Sequence, residues 1–235
     1  MPKDPSKRYK KALELVDAQK VYTLASAVEV LAKFPKAKFN ETVEVAFKLG
    51  VDAKQSDQMV RGTVPLPHGS GKTVKVLVFA RNGAAADAAR AAGAEYVGYD
   101  DLIKKCVEGW SDFDVAIATP EAMIEVRKLG KVLGPRGLMP NPKTGTVTED
   151  TARAVKEVKA GRVEFKIDKA GNVHVPVGKA SFKPQQIVEN ARAVIEAVAK
   201  SKPASSKGTF IQTCTLSSTM SPPVRVDVRE FLAAA

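Results

Sequence analysis

The run Val74-Lys75-Val76-Leu77-Val78-Phe79-Ala80 decides the fold. It is apolar at nearly every position, so a strand formed here must be covered on both faces. A helix is expected over 82–92, ended by Gly93. A short strand should follow around 95–97, then a helix over 100–107. Asp114-Val115-Ala116-Ile117-Ala118-Thr119 reads as a second covered strand. Pro120 suits the first position of a helix near 121–129. This alternation of short apolar strands and helices is the signature of a parallel sheet built from βαβ units.

Outward from this block the period changes to two. In Thr42-Val43-Glu44-Val45-Ala46-Phe47-Lys48-Leu49, apolar Val43, Val45, Phe47 and Leu49 alternate with Thr42, Glu44, Ala46 and Lys48. That is a strand with one apolar and one mostly polar face. Val163, Phe165 and Ile167 alternate with Glu164, Lys166 and Asp168. Ala170-Gly171-Asn172 makes a turn, and Val173, Val175 and Val177 continue beyond it, so 162–178 is expected to be a β-hairpin. Further strands fit 209–216 and 224–228. Helices are expected over 6–16, over 26–33 with Ser26 as N-cap and Glu29 as its capping-box partner, and over 149–159. The clearest helical pattern is at 184–200, where Ile187, Val188, Ala191, Val194, Ile195 and Val198 share a face.

The first 67 residues offer one such strand, and one strand needs partners. Residues 1–67 plus 160–235 are therefore expected to build one α+β domain, an antiparallel sheet with helices on one face. Residues 68–159 would be an α/β domain inserted in it, Rossmann-like with a parallel sheet. Charge follows this division: of a formal net charge of +11, residues 68–159 carry +2 and the outer segments +9. A sequence pI near 9.6 points to a polyanion partner, above all nucleic acid, and places its surface on the outer domain.

Other classes recede. Hydrophobic residues make up 44% and charged residues 27%, a globular balance that excludes wholesale disorder. No apolar run approaches a membrane span. The basic start MPKDPSKRYKK has no apolar region behind it and does not read as a secretory signal. The two cysteines, Cys106 and Cys214, cannot make a disulfide framework or a four-thiolate zinc site, and read as reduced, buried residues of a cytosolic protein. The two histidines, His68 and His174, come without any HExxH, GxSxG or paired-cysteine arrangement. No catalytic residue, metal or cofactor is expected.

Gly69-Ser70-Gly71-Lys72-Thr73 resembles the end of a phosphate-binding loop. The pattern needs a glycine where Leu66 stands, and such a loop follows its strand, whereas this one precedes Val74–Ala80. A hinge built from Pro65, Pro67, Gly69 and Gly71 is the better reading. A nucleotide-binding enzyme on the inserted domain, using Lys72, is the alternative. Residues 130–142 hold three glycines and three prolines among thirteen positions. They read either as a structural loop or as one holding Lys131 and Arg136 where a nucleic-acid backbone can approach.

KLGKVLGPRGLMPNPKTGTV at 128–147, RGTVPLPHGSGK at 61–72, GNVHVPVGKASF at 171–182 and TMSPPVRVDV at 219–228 resemble, in order and spacing, the motifs of the ribosomal protein L one family. That family forms the mobile stalk of the large ribosomal subunit. The resemblance implies a two-domain protein, the second domain inserted in the first. It implies binding to 23S-type large-subunit rRNA and to the rest of that subunit, help in releasing deacylated tRNA from the exit site, and in bacteria repression of its own operon mRNA. It implies a structural protein of the cytoplasm, ribosome-bound, monomeric when free, with no membrane role and no enzymatic activity. A non-ribosomal RNA-binding regulator is the remaining alternative. One departure stands out: where the family usually has Thr-Met-Gly, this chain has Thr219-Met220-Ser221.

On this reading the rRNA face includes Thr42, Glu44 and Lys48 on the polar side of the first strand. Phe39 before it stacks on a base or ribose, or else joins the core. Glu44 would accept from a 2′-OH or a base amino group and so serve specificity. Lys166, Asp168, Lys169, His174 and Lys179 crowd the expected hairpin, and Thr219, Met220 and Ser221 form the last part of the face. Lys131, Arg136 and Lys143 are expected to make secondary RNA contacts.

Overall fold

The computed structural model describes residues 5–52, 55–81, 83–206 and 208–232, with the backbone alone at Ser56, Lys143, Glu230 and Leu232. The chain forms two compact units, Met1–Gly71 with Val163–Ala235, and Lys72–Arg162. The first unit begins with α1 (Lys7–Leu13), α2 (Leu24–Ala32), β1 (Thr42–Leu49) and β2 (Arg61–Pro65). The second holds β3 (Val76–Phe79), α3 (Ala84–Ala91), β4 (Tyr96–Gly98), α4 (Asp100–Val107), β5 (Val115–Ala118), α5 (Met123–Val126), α6 (Gly130–Leu133) and α7 (Thr151–Lys159). The chain then returns through β6 (Arg162–Lys166), β7 (Asn172–Lys179), α8 (Pro184–Lys200), β8 (Ile211–Ser218), β9 (Val224–Arg225) and α9 (Arg229–Leu232).

In the outer unit a four-stranded sheet runs in the order β7-β1-β8-β9, antiparallel throughout. The apolar positions of β1 are all buried. Register sets them beside like partners: Val45 opposite Val175 and Leu216, and Phe47 opposite Val173 and Cys214. Helices α2 and α8 cover this face with Val28, Ile187, Ala191, Val194 and Ile195, completing one core. Cys214 lies deep in it, and burial pushes its thiol up to about 12. In the inserted unit β3 is central in a parallel three-stranded sheet, β4-β3-β5. Val76 and Val78 face the core under α3 and α7, while Leu77 and Phe79 face the one under α4 and α5. Alternate residues of one strand thus feed two cores, which is why the run is apolar throughout. The architecture is that expected: an antiparallel sheet backed by helices, and a separate parallel sheet with helices on both faces.

Several elements differ from the sequence reading. The stretch 162–178 is not a hairpin: β6 pairs with β2 in a two-stranded sheet and β7 joins β1. A Cβ on Gly62 of β2 would lie 2.8 Å from the Phe165 ring, so glycine there allows the close packing of β2 on β6. Helix α2 starts at Leu24, because Thr23, rather than Ser26, is its cap: Thr23 Oγ1 accepts from the Ser26 amide at 3.4 Å. The helix expected near 121–129 is broken into α5, a tight turn over Arg127–Leu129, and α6. The glycine-rich segment therefore opens as helix, anchored by fully buried Leu129 and Leu133, and becomes loop only beyond Gly134. Asn82, expected to begin α3, lies outside the described residues.

The connection 65–71 is fastened to the outer unit. Pro65 ends β2 and Leu66 is buried. Fully buried Asn190 of α8 accepts from the His68 amide at 3.0 Å and donates to the carbonyls of Gly69 and Val177. His68 Nε2 lies 2.5 Å from Glu189. Gly71 adopts φ +69°, and a Cβ there would meet the Phe182 ring at 2.9 Å. Of the four residues expected to form the hinge, three are held within the outer unit and Gly71 alone stands at the boundary. No helix among the described residues is long and apolar enough to cross a membrane.

Candidate RNA interface

The side of the four-stranded sheet away from the helices carries the polar positions of β1. Thr42, Glu44, Ala46 and Lys48 are half-buried there. Register completes the row on both sides: Glu44 stands between Pro176 and Ser217, Ala46 between His174 and Thr215, and Lys48 between Asn172 and Thr213. Arg225 follows opposite Thr215. Thr213, Thr215 and Ser217 were not singled out in the sequence. The polar alternation of β8 was visible, but its adjacency to β1 is fixed only by strand order.

The upper end of β1 is joined to the 219–221 turn by reciprocal bonds. Thr219 donates its amide to the Thr42 carbonyl at 3.0 Å, and its Oγ1 accepts from the Thr42 amide at 3.1 Å. Lys179 Nζ donates to Thr42 Oγ1 at 2.7 Å. Ser221 turns its hydroxyl inward. It accepts from the Ser218 amide at 2.9 Å, while its own amide donates to the Ser218 carbonyl. The serine therefore braces the turn from inside, and no left-handed backbone is needed: among the described residues no non-glycine has a positive φ. Met220 is 49% exposed and Phe39 is 54% exposed, so Phe39 does not belong to the core and its ring is open to stacking.

The lower end is organised by Asp168. Its carboxylate accepts from the amides of Ala170 and Asn172 and from the Asn172 side chain. The Asn172 amide is the main cause holding this carboxyl below its ordinary value; partial desolvation opposes it, and the Asn172 side chain and Ala170 amide add to it. Lys48 Nζ donates to the Ala170 carbonyl across the same turn. Asp168 and Lys48 thus shape the lower turn, leaving exposed Lys169 and His174 at its surface. Lys166 is exposed on β6, in the two-stranded sheet, so the face of four strands does not include it.

In the inserted unit, exposed Lys131 lies on α6 and Arg136 donates to Ser111 Oγ. The side chain of Lys143 lies outside the described residues. Buried Thr144 and Thr146 bond with Asn141, and Arg162 donates to the Thr144 carbonyl at 2.6 Å, so this end of the glycine-rich segment is fixed from within. Lys72 of the phosphate-loop-like stretch pairs with Asp114 at 2.5 Å, and this ammonium is the main cause holding that carboxyl below its ordinary value. Residues 69–73 lead into a strand and not onto a helix N-terminus, so the geometry that cradles a nucleotide phosphate is not formed. Among the described residues no three His, Cys, Asp or Glu side chains are placed to hold a metal ion.

A hydroxyl-rich face of a basic chain, an exposed aromatic at its rim and a braced turn at one end suit RNA better than small-molecule chemistry. The family model described as Ribosomal protein L1p/L10e family matches residues 31–222 of the 235. The match spans β1 to the 219–221 turn and includes the whole inserted unit, and the chain belongs to this family of structural, RNA-binding proteins of the large ribosomal subunit.

Proposed function

We propose that the outer unit reads an irregular helix-and-loop region of 23S-type rRNA with the polar face of β7-β1-β8 and the 219–221 turn. The observation that carries this reading is the row Thr42, Glu44, Thr213, Thr215, Ser217 and Thr219, brought to one face by register. Hydroxyls and a carboxylate in such a row pair with 2′-OH groups and base edges, contacts that DNA and scrambled RNA do not reproduce together. Lysines 166, 169 and 179 add phosphate attraction, which is not selective and falls with salt. The inserted unit supplies secondary contacts through Lys131, Arg136 and Lys143. It pivots where Gly71 meets Lys72 and near Gly161, whose φ is +100°. Release of deacylated tRNA from the exit site and repression of its own operon mRNA are assigned on the family membership. So are the cytoplasmic, ribosome-bound location, the monomeric free state and the lack of enzymatic activity.

The test is a filter-binding titration against the cognate rRNA fragment, its DNA version and a scrambled RNA. The cognate RNA should bind at least about a thousandfold more tightly than either, the lower end of the usual span of specific over non-specific binding. Equal affinities would mean that charge alone binds. Competition between the rRNA fragment and the chain's own mRNA leader for one site tests the repressor role.

A further inference from the structure

The 219–221 turn rests on a charged pair that the contacts above do not use. Glu41, just before β1, is only 4% exposed. Its carboxylate accepts from three donors: the Ala37 amide at 2.9 Å, Ser218 Oγ at 2.6 Å and the Met220 amide at 3.1 Å. Its own backbone carbonyl accepts from the Ala180 amide at 2.8 Å. Arg8, on α1, sits across from it, Nη1 to Oε1 at 3.6 Å. The guanidinium also donates to the Pro35 carbonyl at 3.3 Å and to the Met220 carbonyl at 3.2 Å. The two side chains together thus hold both the N–H and the C=O of Met220, and they tie that residue to the segment 35–41 that carries Phe39.

We propose that Glu41 and Arg8 are positioning residues for RNA recognition, which fix the Met220 peptide and the Phe39 segment in the shape the RNA meets. The inference rests on the reading of the 219–221 turn as an RNA contact. A carboxylate so enclosed cannot itself meet phosphate, and both of its oxygens accept from this scaffold. Burial pushes the Glu41 carboxyl up, but the Ser218 hydroxyl, the Ala37 and Met220 amides and Arg8 outweigh it and hold it below its ordinary value, so it is ionised when the turn is formed. Arg8 lies outside the family-matched residues 31–222, so the site draws one of its supports from the segment that precedes the match. Bonds to charged partners are the strong ones, and leaving a buried partner unpaired costs more than the bond contributes.

The sign of one effect separates this role from simple electrostatics. Glu41→Gln removes a negative charge beside the proposed RNA face. By Coulomb attraction alone it tightens RNA binding. If Glu41 positions the turn, it weakens cognate binding instead, by about ten- to hundredfold, the equivalent of losing charge-assisted hydrogen bonds. Scrambled RNA should bind as before or slightly better. Arg8→Lys is the second variant: it keeps the charge and loses the planar fork that reaches two carbonyls. It should weaken cognate binding with no change in salt slope, whereas a mere phosphate contact at Arg8 would survive the exchange. Arg8 is half-buried but not part of the apolar core, so this exchange leaves the core packing intact if Glu41→Gln proves poorly folded. The full-length chain is titrated in all three forms, and the Met220 amide proton is followed by NMR. That proton should move upfield and exchange faster in Glu41→Gln, while core amides of β1 stay as they are. Cognate affinity unchanged or increased in both variants overturns the proposal. A wild-type chain that does not prefer the cognate fragment overturns the reading of the turn, and the proposal with it.

Discussion

Thr219 shows how one hydroxyl serves the interface through the backbone. Its Oγ1 is engaged with Thr42, so its first effect is to hold the turn on the end of β1. Thr219→Val removes that bond and leaves the Thr42 amide without its partner. Cognate binding should weaken by ~1–3 kcal/mol with the salt slope nearly unchanged. Lys169→Ala behaves differently: an exposed lysine lost from a turn should flatten the salt slope by about one unit, for cognate and scrambled RNA alike. Lys179→Ala combines both effects, because its ammonium bonds Thr42 Oγ1. These three variants, titrated at several salt concentrations, sort selectivity from charge. Glu41 adds a pH dependence. Its folded-state value is lowered, so its contribution to stability is complete above the ordinary glutamate range and is lost as pH falls through the lowered value. Urea midpoints of wild type and Glu41→Gln should therefore converge as the pH falls from the ordinary glutamate range into stronger acid. A constant gap across that range would show that the carboxylate is not the stabilised form.

The elements were legible where pattern and pairing are local, and not elsewhere. Helix α8 and the covered strand β3 follow from spacing alone, and α4 spans 100–107 as expected. The supposed hairpin failed because β6 and β7 each show the right alternation, with a turn between them, yet neither names its partner. Strand β2 was hidden by Gly62 and Pro65, residues that disfavour strand, although glycine is what lets Phe165 pack against it. At the site, Thr42, Glu44 and Lys48 were visible as the polar half of an alternation. The β8 hydroxyls beside them were not, since their place depends on a pairing across more than 160 positions, as between Lys48 and Thr213. Helix α8 also carries a test of its own. Asn190 is fully buried and makes three bonds that hold the 68–69 backbone and β7. Asn190→Ala should lower stability by about 2–4 kcal/mol in urea unfolding, because several backbone groups lose their partner. It should also open the connection near Gly69 to limited proteolysis. Full protection at wild-type stability would mean the clamp is not what fastens this segment.

Over the whole molecule, charge and fold divide the work in the same way. The net charge of +11 lies mainly in the outer segments, where the hydroxyl-lined sheet face and the braced turn also lie. The inserted unit has its own two cores and its own sheet, so the outer unit does not depend on it for burial. RNA recognition is thereby assigned to the outer unit. The most direct measurement joins residues 1–71 to 163–235 through a short Gly/Ser linker and titrates the product with the cognate rRNA fragment and a scrambled RNA, after circular dichroism has shown that it folds. Closing the gap with a short linker costs little chain entropy. The shortened chain should retain cognate affinity within about tenfold of the full chain and keep its preference over scrambled RNA, since the lost contacts are secondary. A folded outer unit that binds both RNAs equally, or neither, would overturn this assignment and place recognition in the inserted unit.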